Sequence, residues 1–130
     1  MKEIKQNVKG NAEIIVTENE LAVTIGSGSL KVLATPVMAM LMEKSACECL
    51  AEYLENDETT VGTELNIKHV SATPCGMKVT AKAELLEVSG REFTFSIKAF
   101  DECGIIGEGI HKRFLVYGEK FTQKANSKRQ

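Results

Sequence analysis

ATPVMAMLMEKSACECLAEYL, residues 34–54, is the one stretch of this chain that reads as a long helix. Thr35 is a good N-cap, and Pro36 suits the first helical position, where a missing N–H costs nothing. Val37, Leu41, Ala46, Leu50, Ala51 and Leu54 recur near the helical period, with Met38, Met40, Met42 and Cys47 between them. Apolar residues therefore cover more than half of the first three turns. That predicts a helix wrapped by other structure rather than one lying on a surface. Glu43 stands in the most apolar part of the run, where a carboxylate either snorkels to water or has a task.

Working outward, residues 13–17 and 21–25 are β-rich and are separated by Glu18, Asn19 and Glu20, which predicts a hairpin. Residues 26–29, GSGS, read as a flexible link into the helix; they lack the Lys-Ser/Thr ending of a phosphate-binding loop. Beyond a polar loop at 55–60 the apolar period changes to two. Val61, Thr63, Leu65, Ile67, His69 and Ser71 share one face, which turns His69 inward beside Leu65 and Ile67. Met77, Val79, Ala81, Ala83 and Leu85 alternate with polar residues, as do Phe93, Phe95, Ile97 and Ala99. The last strand, 105–117, alternates less cleanly, and Gly107 and Gly109 predict a bulge or a close backbone approach. The intervening turns are short, so neighbouring strands pair antiparallel. The expected architecture is α+β: a hairpin, one long helix, and about four further strands in a curved sheet around it.

The chain is 130 residues long, 43% hydrophobic and 26% charged, which fits one soluble globular domain over 1–130. Residues 1–10 and 118–130 are polar and are expected to be loose tails. The net charge of −2 argues against a nucleic-acid partner. No apolar run approaches the roughly 20 residues that cross a bilayer. The opening MKEIKQNVKG lacks an apolar signal core, so the expected location is the cytoplasm. Cys47, Cys49, Cys75 and Cys103 form no CxxC pair and read as reduced thiols rather than metal ligands.

No nucleophile elbow or dinucleotide fingerprint is present. What remains is three polar side chains beside apolar structure: Thr35 at the helix start, Glu43 on the helix, and His69 on the inward strand face. A helix N-terminus offers N–H groups to a developing oxyanion. A carboxylate and an imidazole on facing elements can form a base with an oriented partner, and a hydroxyl can position or attack. The plainer readings are a capping Thr35, a hydrogen-bonded core His69 and a snorkelling Glu43. Thr35 and Glu43 lie eight positions apart, about 12 Å along a helix. They share one reaction centre only if Glu43 leans toward the N-terminus or a second subunit supplies one of them.

The helix start ATP, the LMEKSAC segment, the strand-turn IKHVSATPCGMKVTAKAEL and the GEGIHKR run together resemble the fluoroacetyl-CoA thioesterase group of the hotdog fold, from about residue 32 to 121. In that fold a long helix is the sausage and an antiparallel sheet the bun. The resemblance implies hydrolysis of an acyl-CoA thioester to free acid and CoA, with no cofactor beyond the CoA of the substrate. It places the family's catalytic Thr, Glu and His on Thr35, Glu43 and His69, the three residues that stand out physically. It also implies a glycine near the thioester at Gly62, acyl contact at Leu33, and a homodimer with the site at the subunit boundary. Lys78, Lys112, Arg113 and the tail lysines are the candidate cations for the CoA phosphates. The segment before the helix, GSGSLKVL, lacks the aromatic residues that lid the acyl pocket of fluoroacetyl-selective members, so a short or medium acyl-CoA is the expected substrate. The alternative is a non-catalytic acyl-CoA binder or a structural hotdog dimer.

Overall fold

The computed structural model describes residues 1–129. A single helix, α2 (Thr35–Leu50), lies on the inner face of a five-stranded antiparallel sheet. The strands are β1 (Lys9–Ile15), β2 (Glu58–His69), β3 (Lys78–Ser89), β4 (Glu92–Asp101) and β5 (Gly104–Tyr117), in the spatial order β1-β3-β4-β5-β2. This is the hotdog arrangement, and β1 and β2 are its two edges. The core forms where the inward residues of the sheet, among them Val79, Ala81, Phe93, Phe95 and Ile97, meet Val37, Met38, Leu41, Met42, Ala46 and Leu50 of the helix. Both sets follow their periods: every second residue along β3 and β4, and one stripe of α2.

Four expectations change. The residues 21–25 are not the second strand of a hairpin. Thr17 and Glu20 form a reciprocal cap: the Thr17 hydroxyl accepts from Asn19 N, and Glu20 Oε1 accepts from Thr17 N at 2.8 Å. That pair starts a 3-10 turn (Glu18–Glu20) leading into the short helix α1 (Ala22–Ile25), and β1 pairs with β3 instead. The GSGS link folds back on α1: Val23 N donates to Leu30 O and Ala22 N to Val32 O.

Second, α2 is covered on one side only. Met40 is 48% exposed and Cys47 is also exposed, so the helix's apolar excess is not spent on this chain's own sheet. Third, the inward face of β2 changes phase. Gly62 pairs with Arg113 and Glu64 with Lys112, which leaves Thr63 as an extra, unpaired residue. Thr60 and Gly62 face inward before this bulge, and Leu65, Ile67 and His69 after it, so Val61 and Thr63 do not share His69's face. Fourth, the polar ends carry structure: Lys9 and Gly10 belong to β1, and Gly118–Asn126 forms helix α3. The N-terminal ammonium meets Glu55 and Glu58, and Glu119 N donates to Asp57, which ties both ends to the loop before β2.

The close approach expected at the β5 glycines is present. A Cβ on Gly107 would lie 2.6 Å from Met38 Sδ, and one on Gly109 would run into the Asn66 carbonyl and Ile67. These two positions let the helix and β2 come down onto β5.

Candidate active site

Thr35 is the first helical residue rather than the cap. Ala34 is the N-cap, and its carbonyl accepts from both Val37 N and Met38 N. With Pro36 lacking an N–H, few free donors remain at this helix end, so the expected oxyanion role of the helix start is weakened. The Thr35 hydroxyl is instead spent on His69: Oγ1 lies 2.7 Å from Nδ1. Backbone bonds hold the two elements for this contact. Leu33 N donates to Thr73 O, Ala34 N to Glu20 O, and Val70 N to Ile106 O.

Thr35, His69 and Leu33 line one cleft of about 280 Å³ together with Ala22, Val32 and Val70. His69 Nε2 is buried and has no hydrogen-bond partner among the described residues. Burial pushes the His69 imidazole below its ordinary range, and the Ser71 backbone opposes this in part. A neutral, hydroxyl-oriented imidazole with a free nitrogen is the equipment of a general base.

Glu43 lies elsewhere. No hydrogen bond or ion pair joins it to His69 in one chain; its Oε2 is 3.5 Å from Arg113 Nη1. The carboxylate rests over Gly62, where an added Cβ would come within 2.7 Å of Oε2. Its side chain is 42% exposed, so it opens to solvent on the far side. The sequence-derived set therefore splits in two: Thr35, His69 and Leu33 at one end of β2's inward face, and Glu43, Gly62 and Arg113 toward the other.

A model for the fluoroacetyl-CoA-specific thioesterases (FlK) matches residues 16–119. The chain belongs to this family. The fluoroacetyl-CoA thioesterase of Streptantibioticus cattleyicolor is 40% identical over 98 residues, which is 75% of this chain and 70% of that protein. A solved structure of the fluoroacetyl-CoA thioesterase FlK matches with a TM-score of 0.91 at 30% identity, covering 98% of each chain. A threonine-to-serine variant of that enzyme, solved in complex with acetyl-CoA, matches equally well over all of its length. A Thermus thermophilus member of the thioesterase superfamily has a TM-score of 0.90 at 22% identity, a likeness of fold.

In this FlK-family chain, the Arg113 guanidinium is held inside the sheet rather than on the open surface. Arg113 is 7% exposed and turned inward, with Nε donating to Thr60 Oγ1 at 2.9 Å and Nη2 to Thr60 O at 3.0 Å. Lys78 and Lys112 are paired with Glu13 and Glu92. The sequence reading missed His111, which is 1% exposed and stacks on Phe95. Its Nδ1 is 2.8 Å from the Glu64 carbonyl and its Nε2 is 3.1 Å from Arg113 Nη1. A signal was present: Gly107, Gly109, His111 and Arg113 alternate on one face, two glycines making room and two polar residues filling it. Among the described residues no group of three or more His, Cys, Asp or Glu gathers as metal ligands, and no helix is long and apolar enough to cross a membrane.

Proposed function

We propose that this chain hydrolyses a short or medium acyl-CoA to the free acid and CoA, as a cytoplasmic homodimer that uses no cofactor beyond the CoA of its substrate. The observation that carries this reading is the Thr35–His69 hydrogen bond opening on a cleft, in a chain of a thioesterase family. Water adds to the thioester carbonyl, its proton passes to His69, and the C–S bond breaks as that proton is delivered to the CoA sulfur. In this assignment Nδ1–H donates to Thr35 Oγ1 and Nε2 is the base. With the other tautomer, Thr35 donates to Nδ1 and is itself the nucleophile. Thr35→Ala separates the two: it slows the first and abolishes the second.

Glu43 acts on the same thioester from a second copy. The free edge of β2 carries Gly62 and His69 on one face. Antiparallel pairing of two β2 strands about a two-fold axis near Asn66, with Thr63 again the unpaired residue, sets Gly62, with Glu43 above it, opposite the partner's His69. Exposed Met40 and Leu65 would be covered by the same contact. Glu43 there orients or activates the attacking water, or attacks the carbonyl, and Leu33 borders the acyl group.

The test is free-thiol release from a panel of acyl-CoAs by wild type, His69→Ala and Glu43→Gln. Each variant is expected to lose on the order of 10²-fold or more; equal rates in all three would reject the assignment. Mixing the two inactive variants under exchange conditions should then restore roughly a quarter of the wild-type rate, since half the dimers are mixed and each holds one intact site. No recovery in verified mixed dimers would refute the shared site.

A further inference from the structure

We propose that His111 is a positioning residue, which in one neutral tautomer fixes the Arg113 guanidinium and through it the Glu43 carboxylate, and which releases both when it takes a proton. The inference rests on the thioesterase reading for its consequence in turnover, and on the geometry alone for its arrangement. The Glu64 carbonyl can only accept, so His111 Nδ1, 2.8 Å away, carries the hydrogen. A guanidinium can only donate, so His111 Nε2, 3.1 Å from Arg113 Nη1, carries the lone pair. Two partners of opposite character thus select a single tautomer. An imidazolium would point an N–H at the guanidinium and set two cations side by side.

Arg113 is otherwise held by Thr60, through Nε and Nη2, which leaves Nη1 shared between His111 and Glu43. At 3.5 Å the Glu43 contact is at the long limit of a hydrogen bond, so it depends on where Nη1 is held. Phe95 of β4 stacks on the ring and does not titrate, β2 offers the Glu64 carbonyl, α2 brings the Glu43 carboxylate, and β5 brings Arg113. Burial and the Arg113 charge push the imidazole down, against the pull of the Glu64 carbonyl and Glu43, and the net shift is downward. The neutral form therefore holds at neutral pH, and release belongs to acid.

The arrangement is tested in the full-length protein by imidazole nitrogen NMR, with the His111 signals assigned by their loss in His111→Gln. The expected result is the Nδ1–H form at pH 7.5, and an Arg113 Nε–H resonance that moves with the midpoint of His111. An Nε2–H form, or an Arg113 signal indifferent to that midpoint, overturns the proposal whether or not the protein hydrolyses anything. In thiol release from acetyl-CoA or the best acyl-CoA of the panel, His111→Gln keeps a donor and an acceptor but cannot titrate. It should stay within about threefold of wild-type kcat at pH 8 and lose an acid step of roughly tenfold. His111→Leu should lower kcat about tenfold at pH 8 with KM little changed. An active wild type whose pH profile is reproduced by both variants refutes the positioning role. An inert wild type refutes the thioesterase reading and leaves the NMR result to decide this one.

Discussion

Gly62→Ala isolates the Glu43 carboxylate with a single methyl group. The new Cβ would lie 2.7 Å from Glu43 Oε2, 3.3 Å from His111 Cε1 and 3.4 Å from Arg113 Nη1. Only the first contact is forbidden, and relieving it to an ordinary separation moves the carboxylate by roughly 0.7 Å. Its pairing distance to Arg113 is already 3.5 Å, so a retreat of that size breaks the pair. The fold has little to lose. Gly62 lies outside the positive-φ glycines, so alanine is compatible with its backbone. The side chain that must move is 42% exposed and can swing into water. An ion pair this long, with the Arg113 side chain 8% and the Glu43 side chain 42% exposed, contributes about 0.2–1 kcal/mol. The smaller conformational freedom of alanine in the unfolded chain returns about 0.4–1 kcal/mol. The two nearly cancel, and Tm should stay within about 4 °C of wild type. Turnover should not stay put, because misplacing a reacting group by about 1 Å costs on the order of 10²-fold. Thermal unfolding and thiol-release kinetics on the same preparation check this. Wild-type kcat/KM within threefold at unchanged Tm would refute the placement of Glu43 as the working carboxylate, and a Tm loss beyond about 10 °C would show that the glycine serves the fold instead.

Stability should rise with pH across the histidine range. His69 and His111 both have folded pKa values below the ordinary 6.5, so between those values and 6.5 the unfolded chain binds more protons than the native one. Their contribution is complete above about pH 6.5 and is lost as pH falls below it; urea midpoints at pH 8 and pH 5.5 should differ in that sense, and equal midpoints would contradict the burial of both rings. Of the four thiols, Cys47, Cys75 and Cys103 are exposed and should react with a thiol reagent at once. Burial pushes the Cys49 thiol up to about 11, and it should react only on unfolding; four rapid equivalents would refute its placement.

The fold was legible where one period runs undisturbed. The alternation of Val79, Ala81 and Ala83, and of Phe93, Phe95 and Ile97, survives intact because over those residues each strand is flanked on both sides and half-buried. It failed where a single residue changes the phase. Nothing in TELNI marks Thr63 as the extra residue of a bulge, yet that one position moves Gly62 onto the face that an unbroken strand would have assigned to Val61 and Thr63. Local chemistry also outweighed β propensity at Thr17 and Glu20, whose mutual cap starts a helical turn in a stretch rich in strand formers. Periodicity says how apolar a helix is, not what covers it, so exposed Met40 was beyond its reach. The site divides along the same line. Thr35, Glu43 and His69 were visible because each interrupts the pattern around it. His111 and Arg113 leave only the fainter signal of two polar residues continuing the Gly107 and Gly109 alternation of β5, and what they do there comes from Glu64, Thr60 and Gly62 across the strand boundary. Local pattern therefore finds polar groups set against an apolar background more readily than groups whose role is defined by their partners, because those partners lie far away in the chain.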